Sequence, residues 1–149
     1  MKVAVMGYGT VGSGVVEVIE SHSDIIPKKT GGKELEVSKI LDLRDFPGDA
    51  HEALFTKDFN DIINDPEIKI VAETMGGINP AFDFTMKLLK AGKSVVTSNK
   101  ELVAQKGLEL LRAAEESDPV WNRCKGVPGD RTDQRILRAG EDERDIRRS

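Results

Sequence analysis

The sequence predicts an α/β fold with a doubly wound parallel sheet, and three observations lead to this prediction. Short apolar strands alternate with amphipathic helical segments up to about residue 116. A glycine-rich turn joins the first strand to the first helix. Small or polar residues follow the carboxyl ends of the later strands. An alternating order of this kind favours a parallel sheet covered on both faces, with ligands at the carboxyl ends of its strands.

The glycine-rich turn follows the first predicted strand. An apolar strand at residues 2–6 runs into GYGTVG at residues 7–12. Gly7 would allow the tight turn, Gly9 would let a pyrophosphate approach the backbone, and Gly12 would let the helix lie close to the strand. Free N–H groups and the positive end of the helix dipole would then face the phosphates. This strand–turn–helix order predicts a Rossmann-type dinucleotide-binding site.

The first helix is predicted over residues 10–21 and is followed by a loop. Four apolar side chains recur at helical spacing and are expected to form its buried face: Val11, Val15, Val18 and Ile19. Residues 22–33 are polar and contain Pro27 and two glycines, which predicts a loop with an exposed His22.

The second strand is predicted near residues 35–42 and ends in charged residues. In dinucleotide-binding folds, a carboxylate here accepts hydrogen bonds from the adenosine ribose, whereas a nearby arginine favours a 2′-phosphate. Asp42 lies 30 residues after Gly12, beyond the usual spacing of about 20, and the preceding loop accounts for the excess. Because both Asp42 and Arg44 are present, the residues do not distinguish a preference for NAD from one for NADP. The alternative is that Asp42 and Arg44 are ordinary charged residues at the end of a strand.

The middle of the chain is predicted to hold a turn and a short helix. The Phe-Pro-Gly sequence at residues 46–48 is typical of a turn, and Asp58 is a plausible N-cap for a short helix that contains residues 59–63. His51 lies among acidic and small residues, so we expect it to be solvated.

Two further strands, at residues 68–74 and 94–97, complete the predicted sheet. The helix between them is expected to have Asn79 as its N-cap and Pro80 in its first position, and its buried face is predicted to comprise Ala81, Phe84, Leu88 and Ala91. A last helical stretch runs from residue 100 to about 116, and Gly107 is expected to break it. Its apolar positions are Leu102, Val103, Leu108, Leu110, Leu111 and Ala114.

Four motifs together resemble a known family. The segments GYGTVGSGVV, ILDLRD, VAETMGGINPA and AGKSVVTSNKELVA occur in this order over residues 1–116, and this combination resembles homoserine dehydrogenase. The last two segments are the more specific, because ordinary Rossmann domains lack GGxxPA and TxNKxL. The resemblance implies reduction of L-aspartate 4-semialdehyde to L-homoserine with NADPH or NADH, on the route to threonine, methionine and isoleucine.

The resemblance also implies which residues form the site, and we expect no metal site. The cofactor loop would comprise Gly7, Gly9, Thr10, Val11 and Gly12. The ribose or 2′-phosphate site would comprise Asp42 and Arg44. The remaining cofactor contacts would come from Gly76 and Gly77 along the cofactor, Thr97 and Ser98 at the nicotinamide end, and Lys100.

Lys100 is the candidate catalytic residue, at the family's position between cofactor and substrate. A hydride that arrives at an aldehyde carbon builds negative charge on the oxygen, and a nearby ammonium stabilises that charge or donates a proton. The alternative is a solvated lysine at a helix start. A cation is mildly disfavoured there, which favours the functional interpretation.

The composition changes near Trp121. Up to that residue the chain has twelve Lys and two Arg, and from Asn122 onward it has one Lys and seven Arg. The family's EASVGGGIP-type motif, and its substrate and dimerisation domain, are not recognisable there. We therefore expect an incomplete Rossmann domain at residues 1–118 and a disordered tail at residues 119–149. A frameshifted or truncated reading frame is the preferred explanation, and a natural disordered extension is the alternative.

Bulk properties limit the classes of partner. A net charge of −4 argues against non-specific binding to nucleic acid or anionic membranes, and no apolar run approaches the roughly 20 residues of a membrane span. The single cysteine, Cys124, fits a reducing cytoplasm. The resemblance implies a small-molecule substrate and homo-oligomers for full-length family members.

Two other functions remain as alternatives. One is a free-standing NAD(P)-binding module without catalysis. The other is an acylating aldehyde dehydrogenase relative, which would need a nucleophilic cysteine, and Cys124 has no partner histidine nearby. Under the preferred interpretation, the 149-residue polypeptide binds the cofactor and lacks homoserine dehydrogenase activity by itself.

Overall fold

The fold is described from a computed structural model, which defines residues 1–117 of the chain. The tail predicted to be disordered and Cys124 lie outside the described residues. The chain divides into two compact units, Met1–Met75 and a second unit that begins at Gly76, and each is described by itself.

The first unit contains a parallel sheet and the helices that cover it. Its strands are β1 (Lys2–Met6), β2 (Glu36–Leu41), β3 (Phe55–Thr56) and β4 (Ile68–Glu73). Its helices are α1 (Thr10–Ser21), α2 (Ile26–Lys29) and α3 (Asn60–Ile63), and a 3-10 helix spans Glu52–Leu54. The strands lie in the order β3-β2-β1-β4, and each neighbouring pair is parallel. Because β1 is central and α1 packs against it, its residues from Val3 to Met6 are buried.

The buried face of α1 differs from the predicted one. Val11 and Val18, which were expected inside, are 51% and 55% exposed. The residues that point inward are Gly12, Val16 and Ile19. A Cβ atom on Gly12 would lie only 1.8 Å from the Gly7 carbonyl oxygen. The glycine is therefore what lets this face approach the turn after β1, and it determines how the helix is rotated.

Several loop predictions also need correction. Residues 22–33 contain the short helix α2, with Pro27 in its first turn, where Pro is tolerated. The strand β3 and the 3-10 helix before it follow the predicted turn at residues 46–48. Asp58 accepts a hydrogen bond from the Asn60 N–H at 2.9 Å, although the residue before α3 is Phe59.

The second unit contains two packed helices and one strand within its described part. These are α4 (Ala81–Lys90), β5 (Ser94–Thr97) and α5 (Lys100–Ser117). The cap residue of α4 is Pro80 and not Asn79, and no side chain caps this helix. Its buried residues are Ala81, Thr85, Leu88 and Leu89, whereas Phe84 is only half-buried and Ala91 is exposed.

The helix α5 is continuous through Gly107, where a break was predicted. Glycine lowers helix stability by about 1 kcal/mol relative to alanine, and burial of the helix on both sides of Gly107 offsets this cost. The buried residues are Leu102, Leu110, Ala113 and Ala114, and the predicted Leu108 is 70% exposed. Neither α5, the longest helix of residues 1–117, nor any shorter one has the apolar length that a bilayer crossing requires.

Candidate cofactor-binding site

The turn after β1 is held from two neighbouring strand ends. The Gly7 N–H donates to the Leu41 carbonyl at 2.7 Å, and the Thr74 hydroxyl lies 3.0 Å from the Met6 carbonyl oxygen and 2.8 Å from that of Gly7. Gly7 has a φ of +91°, and a Cβ atom there would lie 3.1 Å from the backbone of Thr74 and Met75. At Gly7 this turn therefore has a backbone conformation that only glycine adopts without strain.

The start of α1 is open on the side where a ligand would approach. Gly9 precedes the helix and no side chain caps it. A Cβ atom on Gly9 would meet no protein atom within 4 Å, and Thr10 and Val11 are both exposed. The N–H groups of a first helical turn carry partial positive charge and bind phosphates. An uncapped helix start beside open space thus fits the pyrophosphate of a dinucleotide.

Asp42 lies directly after β2 and is saturated with hydrogen-bond donors. Its carboxylate accepts from the backbone N–H of Tyr8 at 2.8 Å and from that of Arg44 at 2.9 Å. The Arg44 guanidinium donates twice more, from Nε at 3.0 Å and from Nη2 at 2.9 Å. Four donors match the roughly four acceptor sites of a carboxylate. Asp42 thus ties the glycine turn to the end of β2.

The two partners of this ion pair differ in exposure. The side chain of Asp42 is 8% exposed, while that of Arg44 is 63% exposed. Hydrogen bonds from Arg44 are the main cause that lowers the pKa of Asp42 from 3.8 to about 2, although burial acts in the opposite direction. Asp42 is therefore a fixed anion at neutral pH, and Arg44 presents positive charge to solvent.

A cavity of about 320 Å³ lies beside this ion pair. The rings of Phe46 and Phe55 are stacked at 4.9 Å, and the Arg44 guanidinium lies 5.2 Å from the Phe46 centroid. This volume is in the range of small-molecule sites. The lining residues include Asp42, Arg44, Phe46, Phe55, Thr56 and Lys57.

Tyr8 and His51 form a polar cluster next to these aromatic rings. The Tyr8 ring meets Phe46 and Phe55 edge-on, with centroids 5.1 and 4.8 Å apart. Its hydroxyl lies 3.3 Å from Asp49 Oδ2. His51 was expected to be solvated, but its side chain is only 20% exposed and contacts Glu20 and Asp49. The contact with Glu20 spans 31 residues of sequence, so no local pattern indicates it.

In the second unit, Asn99 organises the turn after β5. Its Nδ2 donates to the Gly77 carbonyl, and its Oδ1 accepts the Leu102 N–H at 3.1 Å, as an N-cap does. Its own N–H donates to Thr97 Oγ1 at 2.9 Å. Asn99 was not among the predicted site residues. Its position immediately before a helix start was the signal that could have identified it.

The predicted site residues therefore form two groups. The first unit brings Gly7, Gly9, Thr10, Val11 and Gly12 together with Asp42 and Arg44. The second unit joins Gly77 to the turn that carries Thr97, Ser98 and Lys100. In this group Gly76 and Gly77 have φ values of +79° and +71°, Thr97 is buried, and Ser98 and Lys100 are exposed.

Comparisons with known proteins place the chain beside one enzyme family. A family model described as "Homoserine dehydrogenase, NAD binding domain" matches residues 7–121. Homoserine dehydrogenases of Bacillus subtilis and Lactococcus lactis are 35% and 37% identical to this chain. Each alignment covers 78% of this chain and 28% of the relative, so the chain spans a little over a quarter of their length.

Solved structures give the same result. The crystal structure of S. aureus homoserine dehydrogenase at pH 6.5 has a TM-score of 0.70 and 36% identity, over 78% of this chain and 30% of that one. A hyperthermophilic archaeal homoserine dehydrogenase mutant in complex with NADPH has a TM-score of 0.62 and 25% identity, over 78% of this chain and 41% of that one. These matches confirm the predicted Rossmann-type α/β fold and the resemblance seen in the sequence motifs.

Proposed function

Because the chain belongs to the family of homoserine dehydrogenase NAD-binding domains, we propose that it binds NAD or NADP and serves the NAD(P)H-dependent reduction of L-aspartate 4-semialdehyde to L-homoserine. This reaction belongs to the biosynthesis of threonine, methionine and isoleucine. The observation that carries the proposal is the glycine turn, where the fixed Gly7 conformation and the open space at Gly9 precede an uncapped helix.

The residues of the first unit would hold the adenosine and phosphate part of the cofactor. The N–H groups at Thr10 and Val11 would donate to the pyrophosphate, and Gly12 would keep the helix close enough to do so. Asp42 or Arg44 would contact the ribose. Since Arg44 already donates hydrogen bonds to the Asp42 carboxylate, a ribose hydroxyl would bind Asp42 only by displacing one of its donors. The exposed guanidinium would bind a 2′-phosphate directly. Titrations with both cofactors measure the resulting preference.

The residues of the second unit would contact the nicotinamide part of the cofactor, where hydride transfer takes place. Bound NADPH or NADH would supply the hydride. Gly76 and Gly77 would leave room along the cofactor, and Thr97 and Ser98 would line its nicotinamide end. Lys100 would place its ammonium near the aldehyde oxygen, where it stabilises developing negative charge.

Calorimetric titration of NAD⁺ and NADP⁺ tests the binding site. We expect Gly9→Val to lower the affinity at least tenfold, because the new side chain would occupy the space of the pyrophosphate. Gly9 has a φ of −91° and an extended conformation, so valine fits the fold there. Gly14→Val is the matched control, since a Cβ atom at Gly14 also meets nothing within 4 Å. Equal affinities of wild type and Gly9→Val would show that this turn is not the site.

Assembly and compartment extend the proposal. We infer that the protein works as a homo-oligomer in the cytoplasm, as the family resemblance and the single cysteine suggest. Light scattering during gel filtration measures the oligomeric state, and a monomer at all concentrations would contradict this part. A cofactor-binding module without catalysis is the second candidate, since the family model that matches residues 7–121 describes an NAD-binding domain.

A further inference from the structure

A cluster of four side chains joins three separate segments of the first unit. We define the His51 cluster as Tyr8, Glu20, Asp49 and His51. His51 Nε2 lies 2.9 Å from both carboxylate oxygens of Glu20, and its Nδ1 lies 3.1 Å from Asp49 Oδ1. The His51 backbone N–H also donates to Asp49 Oδ1 at 2.8 Å. The imidazole therefore connects α1 to the loop that precedes the 3-10 helix.

The geometry favours a protonated ring, because both ring nitrogens face carboxylates. A neutral imidazole has one N–H donor, whereas an imidazolium has two. Carboxylates accept hydrogen bonds and cannot donate them when ionised, so contacts at both ring nitrogens need both N–H groups. The hydrogen bond to Glu20 is the main cause that raises the pKa of His51, with Asp49 adding to it and burial acting in the opposite direction.

Tyr8 connects the cluster to the candidate cofactor site. It lies between Gly7 and Gly9, and its backbone N–H donates to Asp42. Its hydroxyl lies 3.3 Å from Asp49 Oδ2 and 3.4 Å from His51 Nδ1. The backbone of Tyr8 is thus part of the glycine turn, and its side chain is held by the His51 cluster.

We propose that His51 is a positioning residue for the cofactor site, whose protonated ring fixes Glu20 and Asp49 together and so holds Tyr8 and the glycine turn in the binding conformation. The proposal rests on the proposed NAD(P) binding. His51 acts through Tyr8 and does not itself touch the cofactor. Cofactor affinity is therefore coupled to the protonation of a residue outside the glycine motif.

The direction of the pH dependence follows from the charges around the ring. The titratable groups that face His51 are Glu20 from α1, Asp49 from its own loop and the Tyr8 hydroxyl from the glycine turn. When the ring loses its proton, one of the two carboxylates loses its hydrogen bond from the imidazole, and both lose the positive charge of the ring beside them. The cluster loosens, so the affinity for NAD(P) falls as the pH rises through the pKa of His51.

The first test measures the dissociation constants of NAD⁺ and NADP⁺ between pH 6 and pH 9 with the full chain. We expect wild type to lose affinity at least threefold over this range. His51→Gln should bind NAD⁺ weakly at pH 6 and with almost no dependence on pH, because glutamine supplies no charge. NADP⁺ carries a 2′-phosphate that titrates near pH 6, and its contribution cancels when the pH profile of the variant is subtracted from that of wild type. His22→Gln is the matched control, because His22 is the other histidine of the chain and is exposed.

The second test does not depend on cofactor binding. NMR titration of the His51 imidazole, assigned with His51→Gln, should give a pKa above the ordinary histidine value of 6.5, and Glu20→Gln should lower it. A His51 pKa at or below 6.5 would overturn the proposal, as would a His51→Gln variant with the wild-type pH profile. If neither cofactor binds at any pH while the His51 pKa is raised, the failure lies in the proposed function and the positioning role for binding falls with it.

Discussion

Asp42 illustrates how one side chain can fix several parts of the candidate site. Its carboxylate accepts from the glycine turn at Tyr8 and from both the backbone and the side chain of Arg44. The sequence predicted a carboxylate at this strand end and a nearby arginine. It could not predict that Asp42 and Arg44 would pair with each other. Whether two side chains at positions i and i+2 can meet depends on where the strand ends and the backbone turns. The pair therefore ties the glycine turn to the end of β2.

The Asp42 ion pair leads to a prediction on stability. We expect Asp42→Asn to lower the free energy of unfolding by about 1–2 kcal/mol at pH 7, a range reduced for the exposure of Arg44. The pKa of Asp42 is lowered from 3.8 to about 2 in the folded state. Its stabilisation is therefore present above pH 3.8 and is lost as the pH falls toward 2.

Urea unfolding at several pH values measures this difference. The stabilities of wild type and Asp42→Asn should approach each other as the pH falls from 3.8 toward about 2. Asp45→Asn is the control, because Asp45 also contacts a cation, Lys57 at 2.8 Å, but is 80% exposed. Its substitution should change stability by less than about 0.5 kcal/mol. Equal losses in the two variants would contradict the role assigned to Asp42.

For helices and strands, local sequence patterns predicted where an element begins and ends better than which of its faces is buried. The bounds of β1, α1 and β5 agree with the sequence prediction, since turn glycines and apolar runs mark their ends. The predicted buried face of α1 was confirmed at Ile19 and wrong at Val11 and Val18, because its inward contact begins at Gly12, a residue without an apolar side chain. The strand β3 was missed because its two residues, Phe55–Thr56, pair with β2 across about 15 positions, and so short a strand leaves no periodic signal.

Two glycines in helices give opposite predictions for the same substitution. Gly107→Ala should stabilise the protein by about 0.5–1 kcal/mol, because alanine has the higher helix propensity. A Cβ atom at Gly107 would lie 3.6 Å from Val103 Cγ1, an ordinary contact. Gly12→Ala should destabilise the protein, because its Cβ would lie 1.8 Å from the Gly7 carbonyl oxygen. Thermal unfolding of both variants measures whether each substitution raises or lowers stability. A Gly107→Ala variant less stable than wild type would indicate strain at that position.

For the whole chain, the family's sequence pattern extends over both units. The first unit contains the glycine turn and Asp42, and the second contains Gly76, Gly77 and the turn from Thr97 to Lys100. In the first unit, Gly7 and Asp42 directly follow β1 and β2, and in the second unit the turn that carries Lys100 follows β5. What the motifs could not supply is the supporting set of contacts, such as Asn99 to Gly77 or His51 to Glu20, because these join residues that are distant in sequence.

The final prediction concerns turnover by a polypeptide of these 149 residues alone. Its alignments cover 28% of the B. subtilis and L. lactis enzymes, and Lys100 is the one described residue for which we propose contact with the reacting aldehyde. A single ammonium can polarise an aldehyde but cannot hold it beside the hydride donor. Holding two reactants in the right geometry is worth roughly 7–11 kcal/mol. We therefore expect cofactor binding without measurable oxidation of homoserine.

The assay uses homoserine with NAD⁺ or NADP⁺ at alkaline pH, where oxidation is favoured. It compares wild type with Lys100→Ala and with Lys90→Ala, which replaces a control lysine on α4. Turnover that is lost in Lys100→Ala and kept in Lys90→Ala would contradict the prediction, because it would mean that this polypeptide also holds the substrate.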